Sequence, residues 1–125
     1  MADFKKLFAS LRIAISGLKI TFKKEQSFRV QVFIGLLVIL LMFVLGLNPL
    51  EKSTLIIVIA MVLSLELINS QIERFLDVIQ PNYRPEVKLI KDISAAAVLI
   101  AVLGAIVVGI IILSPHLSNP FVYRF

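Results

Sequence analysis

The chain has 125 residues, 59% of them hydrophobic and 17% charged, with a formal net charge of +5 and a mean hydropathy of +1.00. It is too apolar for an ordinary soluble globule, and too short to carry a separate nucleotide-binding domain beside its apolar stretches. The absence of cysteine removes disulfides and cysteine-rich metal sites from consideration.

Residues 1–29 come first. Phe4, Leu7, Phe8, Leu11, Ile15, Leu18 and Phe22 recur at intervals of three and four, while Lys5, Lys6, Arg12, Lys19 and Lys23 mostly fall on other faces. The pattern predicts an N-terminal amphipathic helix, either lying at a membrane surface with its lysines toward anionic lipid or packed on a partner subunit. The first apolar run begins only near residue 30 and is longer than a usual signal core, so a cleaved signal peptide is not expected.

Three apolar stretches follow, approximately 30–50, 54–68 and 93–113. About 20 helical residues cross a hydrocarbon layer about 30 Å thick, so residues 30–114 read as a three-span bundle. Gly46, Asn48 and Pro49 mark the first turn, and the second helix is predicted to start near Lys52 or Ser53 and to run to about Ile79. Pro81, Asn82 and Pro85 define the next connection. The third span follows Lys91 and Asp92, with its helix ending near Ser114, and residues 115–125 form a turn-rich tail containing Pro115, Asn119 and Pro120. The fold class is therefore all-α integral membrane.

Seven cations lie within residues 1–29, and Arg74, Arg84, Lys88 and Lys91 lie in the 74–92 connection; the alternate side receives only Lys52 and Arg124. The positive-inside rule places the N-terminus and the 74–92 connection in the cytoplasm and the C-terminus outside. Helices of this kind need partners in lipid, which suits self-association.

The second span ends in Glu66, Asn69, Glu73 and Asp77, whose spacings of three, four and four put them on one helical face. Glu66 lies about 10 Å deeper than Glu73 along the helix axis. An ionised carboxylate facing hydrocarbon is costly, so this face belongs in a bundle, a wet cavity or a metal site. Glu25 before the first span, and Lys91 and Asp92 before the third, approach the same membrane edge. Carboxylates from separate helices can hold Mg²⁺, the ion can hold phosphate oxygens, and lysine can neutralise the same phosphates. A purely structural ion-pair network would use the same residue types.

No GxxxxGK[ST] loop or glycine-rich dinucleotide fingerprint occurs. The single histidine, His116, falls on the outer side and supports no cytoplasmic proton transfer. Basic charge without aromatic interleaving makes phospholipid a better counter-surface than nucleic acid.

At Glu25-Gln26-Ser27-Phe28-Arg29, at Glu66-Leu67-Ile68-Asn69-Ser70-Gln71-Ile72-Glu73 with Asp77, and at Lys91-Asp92 followed by Ser94-Ala95-Ala96-Ala97, the sequence resembles the bacterial integral-membrane diacylglycerol kinase family, which includes undecaprenol kinases. The resemblance covers about residues 17–113. It departs at Gln71 and Ile90, where alanine is common, and at Arg84, where histidine is frequent.

The resemblance implies a homotrimer in the bacterial inner membrane, with composite sites that transfer the terminal phosphate of Mg-ATP to a lipid hydroxyl. Glu66 matches the general base, Glu25 and Glu73 the metal ligands, and Asn69 a residue that organises the site. Lys91 and Asp92 match residues assisting at the nucleotide phosphates, with Asp77 also in the active region. The residues support the same chemistry by themselves: ATP from the cytoplasm and a lipid alcohol from the bilayer must meet at the interface, and Glu66 is deep enough to take the alcohol proton. Diacylglycerol is slightly favoured as acceptor, with undecaprenol as the alternative. An ion-coupled transporter and a non-enzymatic bundle subunit are the competing classes.

Overall fold

A computed structural model describes residues 3–118. The tail turns at Asn119 and Pro120 and the outer cation Arg124 fall outside the described residues. Four α-helices follow one another: α1 Phe4–Lys24, α2 Gln26–Val44, α3 Pro49–Ile79 and α4 Pro85–Ser118. The last three are each long and apolar enough to cross a membrane. At 1.5 Å per residue, α3 and α4 reach about 46 and 51 Å and so project beyond a hydrocarbon core of about 30 Å.

Asp3 caps α1, its side chain accepting from the backbone N–H groups of Lys5 and Lys6 at 3.1 and 3.4 Å. The break between α1 and α2 is a single extended residue, Glu25, with φ −107° and ψ 109°. Arg29 makes this short break workable. Its guanidinium reaches back from α2 and donates to the carbonyls of Phe22 and Lys23 at 2.9 and 2.7 Å, satisfying acceptors that the end of α1 leaves open. α2 therefore begins at Gln26, four residues before the apolar run that defines the first span.

α2 ends with Gly46 at φ +66°, a left-handed position that glycine takes without steric cost. The Leu47 N–H then bonds back to the Met42 carbonyl at 3.2 Å. This is the Schellman closure, and its usual apolar contact is present. Met42, Leu47 and Leu55 form the buried apolar cluster, with Val38, Val108 and Ile112 packed against it.

Pro49 does not delay α3, contrary to the expected start at Lys52 or Ser53. It occupies the first helical position, where its missing N–H is of no consequence. Asn48 and Glu51 complete a capping box, with Glu51 N–H donating to Asn48 Oδ1 at 2.8 Å and Asn48 N–H to Glu51 Oε1 at 3.1 Å. The expected end near Ile79 agrees with the helix.

α4 likewise starts on a proline, Pro85, and continues past the expected stop at Ser114 through Pro115 to Ser118. Proline removes one intrahelical bond, and here it does so in the last turns. The turn beyond it is tied down because His116 is buried against Glu51, its Nε2 3.1 Å from Glu51 Oε2.

α3 is the central element, packed on α4 along much of its length and on α2, while α1 packs on α2. Gly35 permits the close approach of α2 to α3: a Cβ there would lie 3.1 Å from Ile59 Cγ2. Large apolar side chains such as Phe33, Ile100 and Ile110 remain exposed on the outer faces.

Candidate active site

The α3 face predicted from spacing alone is present and graded in depth. Glu66 and Asn69 are buried at 6% and 8% exposure, Glu73 is half-buried, and the Asp77 side chain is 65% exposed. The gradient follows the helix from bundle interior to membrane edge.

Glu66 meets α2. Gln31 Nε2 donates to Glu66 Oε2 at 3.3 Å, and Glu73 and Glu25 both lie within electrostatic reach of the Glu66 carboxylate. One turn on, Asn69 Nδ2 donates to Glu73 Oε1 at 3.4 Å, and Asn69 Oδ1 is buried without a hydrogen-bond partner among the described residues. The extended break residue Glu25 also reaches α3, its Oε1 3.6 Å from Arg74 Nη2. Three glutamates from two elements thus converge on one end of the bundle.

The α4 charges reach the same end by a different connection. Lys91 forms an ion pair with Asp77 at the end of α3, whereas Asp92 pairs with Lys88, one turn back on its own helix, at 2.6 Å. Lys91 is therefore tied to α3, and Asp92 interacts locally on the exposed face of α4.

Below this polar end, α2, α3 and α4 enclose an open apolar groove of about 280 Å³, lined by residues such as Ile34, Val38, Val62, Val102 and Ile106. Gln31 is the polar residue at its edge and joins the groove to Glu66.

Among the described residues, no group of three or more histidine, cysteine, aspartate or glutamate side chains is gathered closely enough to form a metal cage by itself. Mg²⁺ does not require one, because it commonly takes one or two carboxylates and completes its shell with phosphate oxygens and water. Glu25 and Glu73 are hard oxygen donors, and Asn69, whose Nδ2 meets Glu73, keeps an orphaned Oδ1; donors of this type fit that chemistry.

Sequence reasoning missed Gln31 and Arg74. An amide at residue 31 inside an apolar span was a visible signal, since a polar side chain there requires a partner. The Arg74–Glu25 contact spans 49 positions of sequence, and no local pattern announces it.

With this geometry, residues 12–113 match the profile of the prokaryotic diacylglycerol kinase family. The chain belongs to that family. It is 33% identical over 114 residues to a diacylglycerol kinase of Synechocystis sp., covering 90% of the chain and 65% of that protein. A Helicobacter pylori diacylglycerol kinase is 36% identical over 100 residues, covering 80% of the chain and 78% of the relative. An undecaprenol kinase of Bacillus subtilis is 28% identical over 115 residues, covering 92% and 94%. The family is one of lipid kinases, phosphotransferases with an alcohol acceptor. Every charged residue of the polar end, from Glu25 to Asp92, lies inside the matched span.

Proposed function

We propose that the chain transfers the γ-phosphate of Mg-ATP directly to the hydroxyl of diacylglycerol or a related membrane lipid, yielding phosphatidic acid and ADP. The observation that carries this reading is Glu66, buried on a membrane-spanning helix where the apolar groove ends, with Glu25 and Glu73 in electrostatic reach. A lipid alcohol would lay its hydrocarbon along the groove and present its oxygen near Glu66, while the nucleotide would approach from the charged end.

In the proposed step, the lipid oxygen forms a bond to the γ-phosphorus as the bond from that phosphorus to the β,γ-bridging oxygen breaks. The alcohol proton passes to Glu66, and ADP leaves with the bridging oxygen. Glu25 and Glu73 would hold Mg²⁺, which when bound offsets phosphate charge. Asn69 orients Glu73 through its amide N–H, and Lys91, steadied by Asp77, adds positive charge toward the transferring group. Asp92 keeps Lys88 at the same rim. Direct transfer fits the available groups, since no histidine stands at this end to carry the phosphate. A phosphorylated protein intermediate on the reaction path would contradict it.

The proposed setting is the bacterial inner membrane, with the carboxylate end in the cytoplasm and α1 lying amphipathically at that interface. The cation distribution supports this orientation. A homotrimer with sites shared between subunits is proposed as the working form, consistent with the apolar faces that one subunit leaves exposed. A second acceptor, undecaprenol, is favoured by the Bacillus subtilis relative, whose length is covered to 94%. Parallel ATP-dependent phosphorylation of diacylglycerol and undecaprenol in detergent micelles tests both readings; phosphorylation of neither lipid overturns the function, and the faster substrate identifies the acceptor.

A further inference from the structure

The Gln31 amide carries two observations that the reaction outlined above does not use. Its Nε2 donates to Glu66 Oε2 at 3.3 Å across the α2–α3 contact, and its Oε1 is buried with no hydrogen-bond partner among the described residues. An amide offers a donor and an acceptor on one rotatable group, whereas a carboxyl group is acceptor-only when ionised and gains an O–H donor when protonated. A base that takes a proton in each turnover changes from the first form to the second. Few side chains suit both.

We propose that Gln31 is the positioning residue for Glu66 in both of its protonation states. Before transfer, the Gln31 N–H holds the carboxylate. After the lipid hydroxyl has given its proton to Glu66, the amide turns about its terminal C–C bond and Oε1 accepts from the new carboxylic acid O–H. The proton remains on Glu66 throughout this rotation, and Gln31 neither gains nor loses one. The orphaned Oε1 is the acceptor used in the second state, so neither stage leaves the Glu66 proton or carboxylate unmatched in a buried setting, where an unmatched polar group is costly. At the edge of the apolar groove, Gln31 also lies where a lipid head must pass to reach Glu66.

This inference rests on Glu66 acting as the base, and the experiment separates the two ideas. Gln31→Leu, Glu66→Asp, Glu66→Gln and the Gln31→Leu/Glu66→Asp double variant are purified in detergent, checked for native subunit mass and thermal unfolding, and assayed with Mg-ATP and diacylglycerol. Gln31→Leu should lower kcat about tenfold or more, the scale of one hydrogen bond to a charged group, with KM for Mg-ATP unchanged. In the Glu66→Asp background, whose shorter carboxylate no longer meets the amide, Gln31→Leu should add little further loss. The ¹⁵N–¹H signals of the Gln31 side-chain amide, assigned by their loss in Gln31→Leu, should shift in Glu66→Asp. Wild-type kcat in Gln31→Leu, or fully additive losses in the double variant, overturns the positioning role while leaving the base intact. Wild-type turnover in Glu66→Asp and Glu66→Gln alike overturns the base, and the positioning role with it.

Discussion

Arg74 Nη2 stands 3.6 Å from Glu25 Oε1, so the C-terminal end of α3 grips the one-residue break between α1 and α2. Both side chains are partly exposed, at 41% and 31%, and an ion pair in such a setting contributes about 0–1 kcal/mol. Its consequence is placement of the carboxylate more than stability.

Glu25→Gln should therefore leave thermal unfolding nearly unchanged and raise the Mg²⁺ concentration needed for half-maximal phosphorylation. A Mg²⁺ titration of lipid phosphorylation in micelles measures this. An unaltered Mg²⁺ requirement would remove Glu25 from the proposed metal ligands.

Asn69→Leu removes the N–H that orients Glu73 and the unpartnered Oδ1 beside it. Loss of a residue that orients a metal ligand commonly costs about 10–100-fold in metal affinity. Mn²⁺ binding followed by electron paramagnetic resonance should weaken on that scale while the subunit mass in detergent is retained. Wild-type Mn²⁺ affinity would separate Asn69 from the proposed metal site.

At the opposite end of the bundle, Glu51 serves two helices. It completes the Asn48 capping box and receives His116 from the last turn of α4. Glu51→Ala should lower stability by about 1–2 kcal/mol, the upper part of the range for a helix cap, as read from thermal unfolding in detergent. Turnover per folded enzyme should not change, because the carboxylate cluster lies at the far end. Reduced turnover at wild-type stability would show that the Glu51–His116 end communicates with the site.

Gly35→Leu should disturb the α2–α3 contact, since even a Cβ at this position would be 3.1 Å from Ile59 Cγ2. Overpacking of this kind costs about 1–3 kcal/mol. Lower thermal stability with loss of activity is expected, and a variant as stable as the parent would mean that the helices separate easily at Gly35.

The three spans and the polar face of α3 were legible because each depends on local periodicity: long apolar runs, and carboxylates three and four residues apart. Helix ends were less legible where the cap comes from another element. Glu25 was visible as a charged residue, but the arginine that closes α1 across it arrives from the next helix. Pro49 and Pro115 both look like stops in isolation; one starts a helix and the other is spanned by a turn that a buried histidine ties to Glu51. Among the site residues, spacing joined Glu66 to Asn69 and Glu73, whereas the pairing of Lys91 with Asp77 and of Gln31 with Glu66 depends on how separate helices dock.

The most direct measurement is ATP-dependent lipid phosphorylation by Glu66→Gln, with binding of a non-hydrolysable Mg-nucleotide measured on the same preparation. The expected result is normal nucleotide affinity and native subunit mass, with turnover reduced by about 10²–10⁴-fold, the contribution typical of a general base. Turnover within a few-fold of the parent chain would contradict the assignment of Glu66 as the group that takes the lipid proton.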